Sequence, residues 1–340
     1  MATGAMQLSA QLPFISVPRQ SQRASVTQRL ALTDITVVYH RPLVGGRKVW
    51  GGMVPPGEVW RAGANDNTTF EVTDPVTVEG KQLAKGIYGL HMIPSSDTWT
   101  VIFSRASTAW GSFTYDPKED ALRVTVKPVP SEMHEALTYD FDDVKPDSAT
   151  VTLRWEKLAV PFTVKADHEA TMVNIRNQFR SASQYTWEAW DEAATWCLAS
   201  KSNLEEALGW MERSLQIEER FENLMTKSQI LGELKRPTEA AAASAKAMET
   251  GNAIQVYMYG RQLQTGKKKA EAVAIFRNVA RRFPDHWLGH IAKARVAVAD
   301  GDFATALKEI QITQTLAPEA QKPGLETLKK RVENKEDING

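Results

Sequence analysis

The polar residues best suited to chemistry gather in the first half of this 340-residue chain. The densest group is Trp60-Arg61-Ala62-Gly63-Ala64-Asn65, followed by Asn67 and Thr68. Arg61 offers a planar fork of donors that suits a carboxylate or phosphate. Asn65 supplies both a donor and an acceptor, and Thr68 adds a hydroxyl. Gly63 lets the backbone turn tightly or approach a ligand. Together these residues describe a small polar pocket. They equally describe a loop tied to a sheet by side-chain-to-backbone hydrogen bonds, and that commoner arrangement is the one expected.

His40 and His91 lie in apolar, strand-like runs. With Glu71 as an oxygen ligand, two such histidines would form an open metal site. No short HxH or HxxxH spacing joins them, so a hydrogen-bonded structural role is expected instead. Tyr39 and Arg41 flank His40, and these two, with Trp110, complete the candidate ligand-binding set of Tyr39, His40, Arg41, Arg61, Asn65, Thr68, His91 and Trp110. His286 and His290 are four residues apart, yet no third ligand is nearby. Helix packing or a solvated face accounts for them.

Other signatures are missing. The chain has no G-x-S-x-G elbow and no phosphate loop ending in Lys-Ser/Thr. Val44-Gly45-Gly46-Arg47 reads as a hairpin turn. Asp140, Asp142 and Asp143 do not match calcium-loop spacing. Cys197 is the single cysteine, so neither an intrachain disulfide nor a two-cysteine zinc site can form. The residues point to no cofactor.

The elements that must position these groups fall into two parts. Strand patterns occupy 34–40, 68–73, 86–93, 98–103, 121–127, 135–141, 149–155 and 160–165. Leu122, Val124 and Val126 alternate with polar neighbours, as do Val151, Leu153 and Trp155. Such alternation means one buried face and one wet face. Short strands punctuated by Pro and Gly predict an antiparallel sandwich or barrel-like domain over 21–165, preceded by an extended segment over 1–20.

Beyond residue 165 the period becomes helical. Ala207, Ala240, Ala272 and Ala306 recur at spacings of 33, 32 and 34. Four residues after them come Met211, Ser244, Phe276 and Ile310, and seven after come Ser214, Ala247, Val279 and Thr313. Pro284 and Pro318 follow the last two by twelve. Leu198, Leu231, Leu263 and Ala297 lie nine before, and Gly260 sits where the repeat favours glycine. This is the register of tetratricopeptide (TPR) repeats, about four of them, predicting an all-α solenoid over 166–335. Trp187, Trp190, Trp196 and Trp210 in the first repeat are expected to cap the array against the β domain. The polar residues 334–340 are expected to fray.

Lys plus Arg equals Asp plus Glu at 41 each, which argues against broad capture of nucleic acid. No apolar run approaches the ~20 residues of a membrane span. Residues 1–6 read as an added cloning remnant that stands in place of an export signal.

Three stretches carry a family resemblance. They are VVYHRPLVGGRKVWGGMVPPGEVWRAGANDNTTF over 37–70, GKQLAKGIYGLHMIPSSDTWTVIFS over 80–104, and the Trp110-Gly111 to Tyr115 segment. On these the domain resembles the bacterial family called domain of unknown function 2911 (DUF2911), across 21–164. The resemblance implies export, to the periplasm or beyond, with a cytoplasmic location as the alternative. It implies no reaction.

Three functions follow as expectations. The first is a non-catalytic scaffold whose repeats take a protein or peptide partner, while the β domain binds a small ligand or locks the array. The second is an enzyme of unknown reaction, with metal assistance as one form of it, and with Tyr39, His40, Arg41, Arg61, Asn65 and His91 converging in one cleft. The third is a carbohydrate-binding module, which needs a flat row of exposed rings among Trp50, Trp60, Trp99, Trp110 and Trp155.

Overall fold

The computed structural model describes residues 18–340, so most of the extended segment expected over 1–20 lies outside the described residues. The chain divides into two compact units, one ending at Asn177 and the other beginning at Gln178.

Among the described residues the first unit holds ten strands. They are β1 (Gln22–Leu30), β2 (Thr33–Arg41), β3 (Thr69–Val72), β4 (Val76–Val78), β5 (Lys81–Leu83), β6 (Gly86–Ile93), β7 (Trp99–Ser104), β8 (Asp120–Val126), β9 (Val129–Asp142) and β10 (Ser148–Ala166). They form two antiparallel sheets rather than a closed barrel, ordered β1-β2-β3-β6-β7-β8 and β5-β4-β10-β9. Alternation decides which side chains face inward. Ile35, Val37, Tyr39, Phe70, Leu90 and Phe103 from the larger sheet share one core with Leu153, Trp155 and Phe162 from the smaller. Trp50, Trp60, Trp99 and Trp155 join that core as an aromatic cluster, with ring centroids 5.1 to 5.9 Å apart. Four of the five tryptophans are thereby spent on packing, and the row of exposed rings is not formed.

Several local expectations change. The strands read at 149–155 and 160–165 are one strand, β10. Its register against β9 shifts around Glu156, whose φ is +55°. That irregularity breaks the alternation and makes one strand read as two. β1 lies outside the strand patterns of the sequence, because its polar residues sit at an exposed sheet edge. Gly45 and Gly46 (φ +55° and +69°) do form a tight turn, closed by Arg47 N–H to Val44 O at 3.0 Å. The turn joins no hairpin, since Leu43 bridges to Ala136 of β9.

After β10 comes α1 (His168–Gln178). The second unit contains α2 (Trp187–Ser200), α3 (Leu204–Ile217), α4 (Phe221–Glu233), α5 (Pro237–Thr250), α6 (Ala253–Thr265), α7 (Lys269–Arg282), α8 (Trp287–Ala299), α9 (Phe303–Leu316) and α10 (Lys322–Glu333). Helices α2/α3, α4/α5, α6/α7 and α8/α9 are four TPR-like pairs. The small residues of the repeat mark where helices meet. Ala207, Ala272 and Ala306 are fully buried, as are Ser214, Ala247, Val279 and Thr313. Gly260 packs so close to the next helix that a Cβ there would lie 2.7 Å from Phe276 Cε1. In the first repeat, Phe179 stacks on Trp190 at 3.8 Å and meets Trp210 edge-on at 5.3 Å.

Gly289 on α8 is a sharper constraint. A Cβ there would fall 1.8 Å from the backbone carbonyl oxygen of Phe283. That oxygen belongs to a turn and cannot swing aside as a side chain would. Gly289→Ala is therefore expected to lower stability by roughly 1–3 kcal/mol, the usual range for overpacking. Gly209→Ala, whose Cβ would meet nothing within 4 Å, serves as the control. Urea unfolding midpoints of the two variants check this, and equal midpoints would refute it.

The polar end of the chain is not frayed. Ile338 and Asn339 are buried at 0% and 1% exposure. Arg295 Nη1 and Gln264 Nε2 donate to Ile338 O at 2.6 and 2.8 Å, and Asn339 Nδ2 donates to Arg295 O at 2.8 Å. Composition alone hid this docking, because the partners lie on α6 and α8.

Candidate functional site

In the larger sheet, Val38 pairs with Thr69 and Thr69 with Gly89. One step along the strands, the same register sets His40, Asn67 and His91 in a row on the face away from the core. Residues 105–119, which connect β7 to β8, cover this face. Asn67 Nδ2 donates to Ala106 O at 3.0 Å and Ser107 O at 3.4 Å. His91 Nδ1 lies 2.8 Å from Ser112 Oγ. Gly89 makes this closeness possible. A Cβ at 89 would stand 2.6 Å from Asn67 Nδ2, 2.7 Å from Ala106 O and 3.1 Å from His91 Nε2.

Both histidines are buried, and burial pushes both toward the neutral form. For His91 it depresses the pKa from 6.5 to about 4, against an opposing pull from Asp120. For His40 burial lowers the pKa, Asp66 opposes it, and Arg19 and Arg23 add to the lowering. His40 Nε2 is 3.5 Å from Asp66 Oδ2. Next to His91, Tyr115 hydroxyl donates to Asp120 Oδ2 at 2.8 Å, and burial with that bond pushes it up to about 12.

The same connection meets Arg61. A Cβ on Gly111 (φ +65°) would lie 2.6 Å from Arg61 Nη1, and Arg61 Cζ sits 5.2 Å from the Phe113 ring. Arg61 Nη1 donates to Asn65 O at 2.8 Å, Asn65 Nδ2 to Ser21 O at 3.1 Å, and Thr68 Oγ1 to Ala62 O at 3.2 Å. These bonds hold the loop to itself and to the start of β1, and each uses one of the polar atoms that its side chain carries.

His40, His91, Arg61 and Trp110 thus gather around one connection. Tyr39 does not join them, because it faces the core against Tyr139 at 4.8 Å. Arg41 is turned to Leu137 O at 3.1 Å. Among the described residues no three His, Cys, Asp or Glu side chains are placed to hold a metal ion. The site on His40, His91 and Glu71 is not formed, since Asn67 stands between the histidines. In the helical unit His286 caps α8 through Leu288 N–H at 3.1 Å, while His290 Nδ1 meets Glu309 at 2.6 Å.

A cavity of about 350 Å³ opens beside His40, lined also by Arg23, Asp66, Asn67, Thr69 and Trp110. Arg23 lies outside the quoted stretches, and Asp66 and Thr69 lie within the 37–70 stretch, but nothing in that stretch marks them as cavity-lining.

A second concavity lies in the helical unit. It measures about 710 Å³ and is lined by α6, α8 and α10. Ile254 and Met258 on its wall are 59% and 57% exposed. Trp287 and Leu325 add apolar surface and Arg261 supplies charge, while Arg295 is buried, Arg331 is paired with Glu336 at 3.2 Å, and no carboxylate lines the wall.

Residues 21–164 match the model of a family described as a protein of unknown function, DUF2911. No curated protein matches the chain. Among solved structures, YrrB, described as a TPR protein with an unusual peptide-binding site, is similar at 17% identity and a TM-score of 0.28, covering 48% of this chain and 83% of its own. PilF of Pseudomonas aeruginosa is similar at 16% identity and a TM-score of 0.31, covering 46% and 71%.

Proposed function

We propose that the protein is a binding module whose helical unit captures a peptide segment of a partner protein, one that combines apolar side chains with at least one carboxylate. The groove on α6, α8 and α10 carries this reading. Ile254 and Met258 are large apolar groups left in water on a concave wall, which marks an interaction surface better than scattered exposure does. Arg261 adds a cation to a wall that no carboxylate lines, so the complementary ligand is acidic. A helix or extended segment laid along such a groove buries its apolar face and pairs its charge at the rim.

The resemblance to an exported family supports a location outside the cytoplasm. No helix among the described residues is long and apolar enough to cross a membrane.

The test is a peptide array probed with the full chain, comparing Leu/Asp-rich peptides with Leu/Lys-rich versions of the same length. Acidic peptides are expected to bind and to weaken as salt rises. Met258→Asp and Arg261→Glu are each expected to weaken binding by about tenfold or more. Equal binding of acidic and basic peptides, or variants that bind like the parent, would refute the proposal.

A further inference from the structure

We infer that the β-domain cavity beside His40 is a binding site for a neutral polyhydroxyl ligand, a single sugar unit, recognised through hydroxyl donors. The inference concerns a different unit from the helical groove and does not depend on it.

The hydrogen-bonding needs of the cavity wall carry the argument. His40 and Asn67 both line the cavity and are each 7% exposed. Each holds a buried polar atom with no partner among the described residues, His40 Nδ1 and Asn67 Oδ1. Asn67 has its amide orientation set by the two carbonyl oxygens, of Ala106 and Ser107, that receive its Nδ2. Its Oδ1 can therefore only accept. The neutral imidazole of His40 keeps its proton on Nε2, the nitrogen that faces the Asp66 carboxylate. Its Nδ1 is then a lone pair and also accepts. Asp66, which lines the cavity too, is a third acceptor. A ligand that satisfies this wall must bring donors.

Hydroxyls and ammonium groups are the two common sources of such donors. Arg23 lines the cavity, and Arg19 lies 5.5 Å from the Trp110 ring at its rim. Both arginines act on His40 as positive charges. An ammonium would be repelled, whereas a neutral polyol is not. Trp110 is half exposed at the rim, where Arg19 lies over its ring, and its exposed surface offers apolar contact to the C–H side of a pyranose. The volume of about 350 Å³ lies at the small end of ligand pockets and suits one sugar ring. The two orphan acceptors have almost no free surface, so Asp66, which is exposed, is the acceptor that a ligand in the cavity meets, and the two behind it bias the wall toward donors. This mode needs a pocket and one ring, unlike the row of exposed tryptophans that the core cluster rules out.

Saturation-transfer NMR on the full chain tests this with hexoses, N-acetylhexosamines, sugar alcohols and methyl glycosides at millimolar concentration. Putrescine, an ammonium without hydroxyls, and inorganic phosphate serve as counter-probes. At least one neutral sugar is expected to bind, and Trp110→Ala and Asp66→Asn are each expected to weaken it about tenfold. Both positions are exposed, so unchanged thermal unfolding verifies that the variants fold. Binding of methyl glycosides as well as free sugars assigns the site to glycan ends, and binding of free sugars alone assigns it to free monosaccharides. Silence from every sugar overturns the inference. So does sugar binding that survives both substitutions, or putrescine or phosphate binding in place of sugar.

Discussion

Between pH 6.5 and about 4, the β domain is expected to lose roughly 3 kcal/mol of stability through His91 alone. His91 is 2% exposed, and burial is the main reason its imidazole resists protonation. In the unfolded chain the same imidazole takes up a proton near 6.5, whereas the native state does so only near 4. Across that window the unfolded state binds more protons, so stability falls as pH falls. Below about 4 both states are protonated and the slope vanishes. His40, also held neutral by burial, adds in the same direction. His91→Asn places an amide close to where Nδ1 meets Ser112 and removes the titrating group. Its unfolding midpoint is expected to fall far less steeply over this pH range than that of the parent chain. A variant with the parent's acid slope would show that other groups drive the loss.

Arg295→Ala is expected to cost the helical unit roughly 2–4 kcal/mol and to release the end of the chain. Arg295 is 2% exposed, and burial lowers its pKa, the direction expected of a desolvated cation. Its charge is met by dipoles and rings. Nε donates to Tyr257 Oη at 3.0 Å, and Nη1 to Gln264 Oε1 at 3.2 Å and Ile338 O at 2.6 Å. Its Cζ lies 5.2 Å from the Phe276 ring and 5.9 Å from that of Tyr257. Alanine would strand those acceptors and leave a void beneath Ile338. Two measurements check the claim together. The urea midpoint should drop, and the amides of Ile338 and Asn339 should exchange with solvent like those of an open tail. Retained protection of both amides would mean that packing around Ile338, rather than the guanidinium, anchors the end. Arg295 also lines the helical groove, so this residue links the docked end to the surface proposed for the partner.

The parts of this molecule legible from sequence are those whose cause is local or repeats at short range. Alternation at Leu122–Val124–Val126 and at Val151–Leu153–Trp155 records which side of a strand is dry, because side chains alternate with a period of two. The alanines at 207, 272 and 306 record close helix contacts, because each pair buries its apolar stripe on the next copy. The DUF2911 stretches could likewise be read straight from residue order. Tertiary structure alone decided which polar groups meet. His40, Asn67 and His91 are far apart in the chain and share a row only through the register of β2, β3 and β6. The connection over 105–119 lies on them only because Gly89 and Gly111 leave room. The end of the chain looked soluble by composition, yet it docks on Arg295 and Gln264, whose positions depend on how α6 and α8 pack. Periodicity carries the burial of each element, whereas a site is a coincidence of distant residues in space, and that coincidence is settled only when the sheets and helices close.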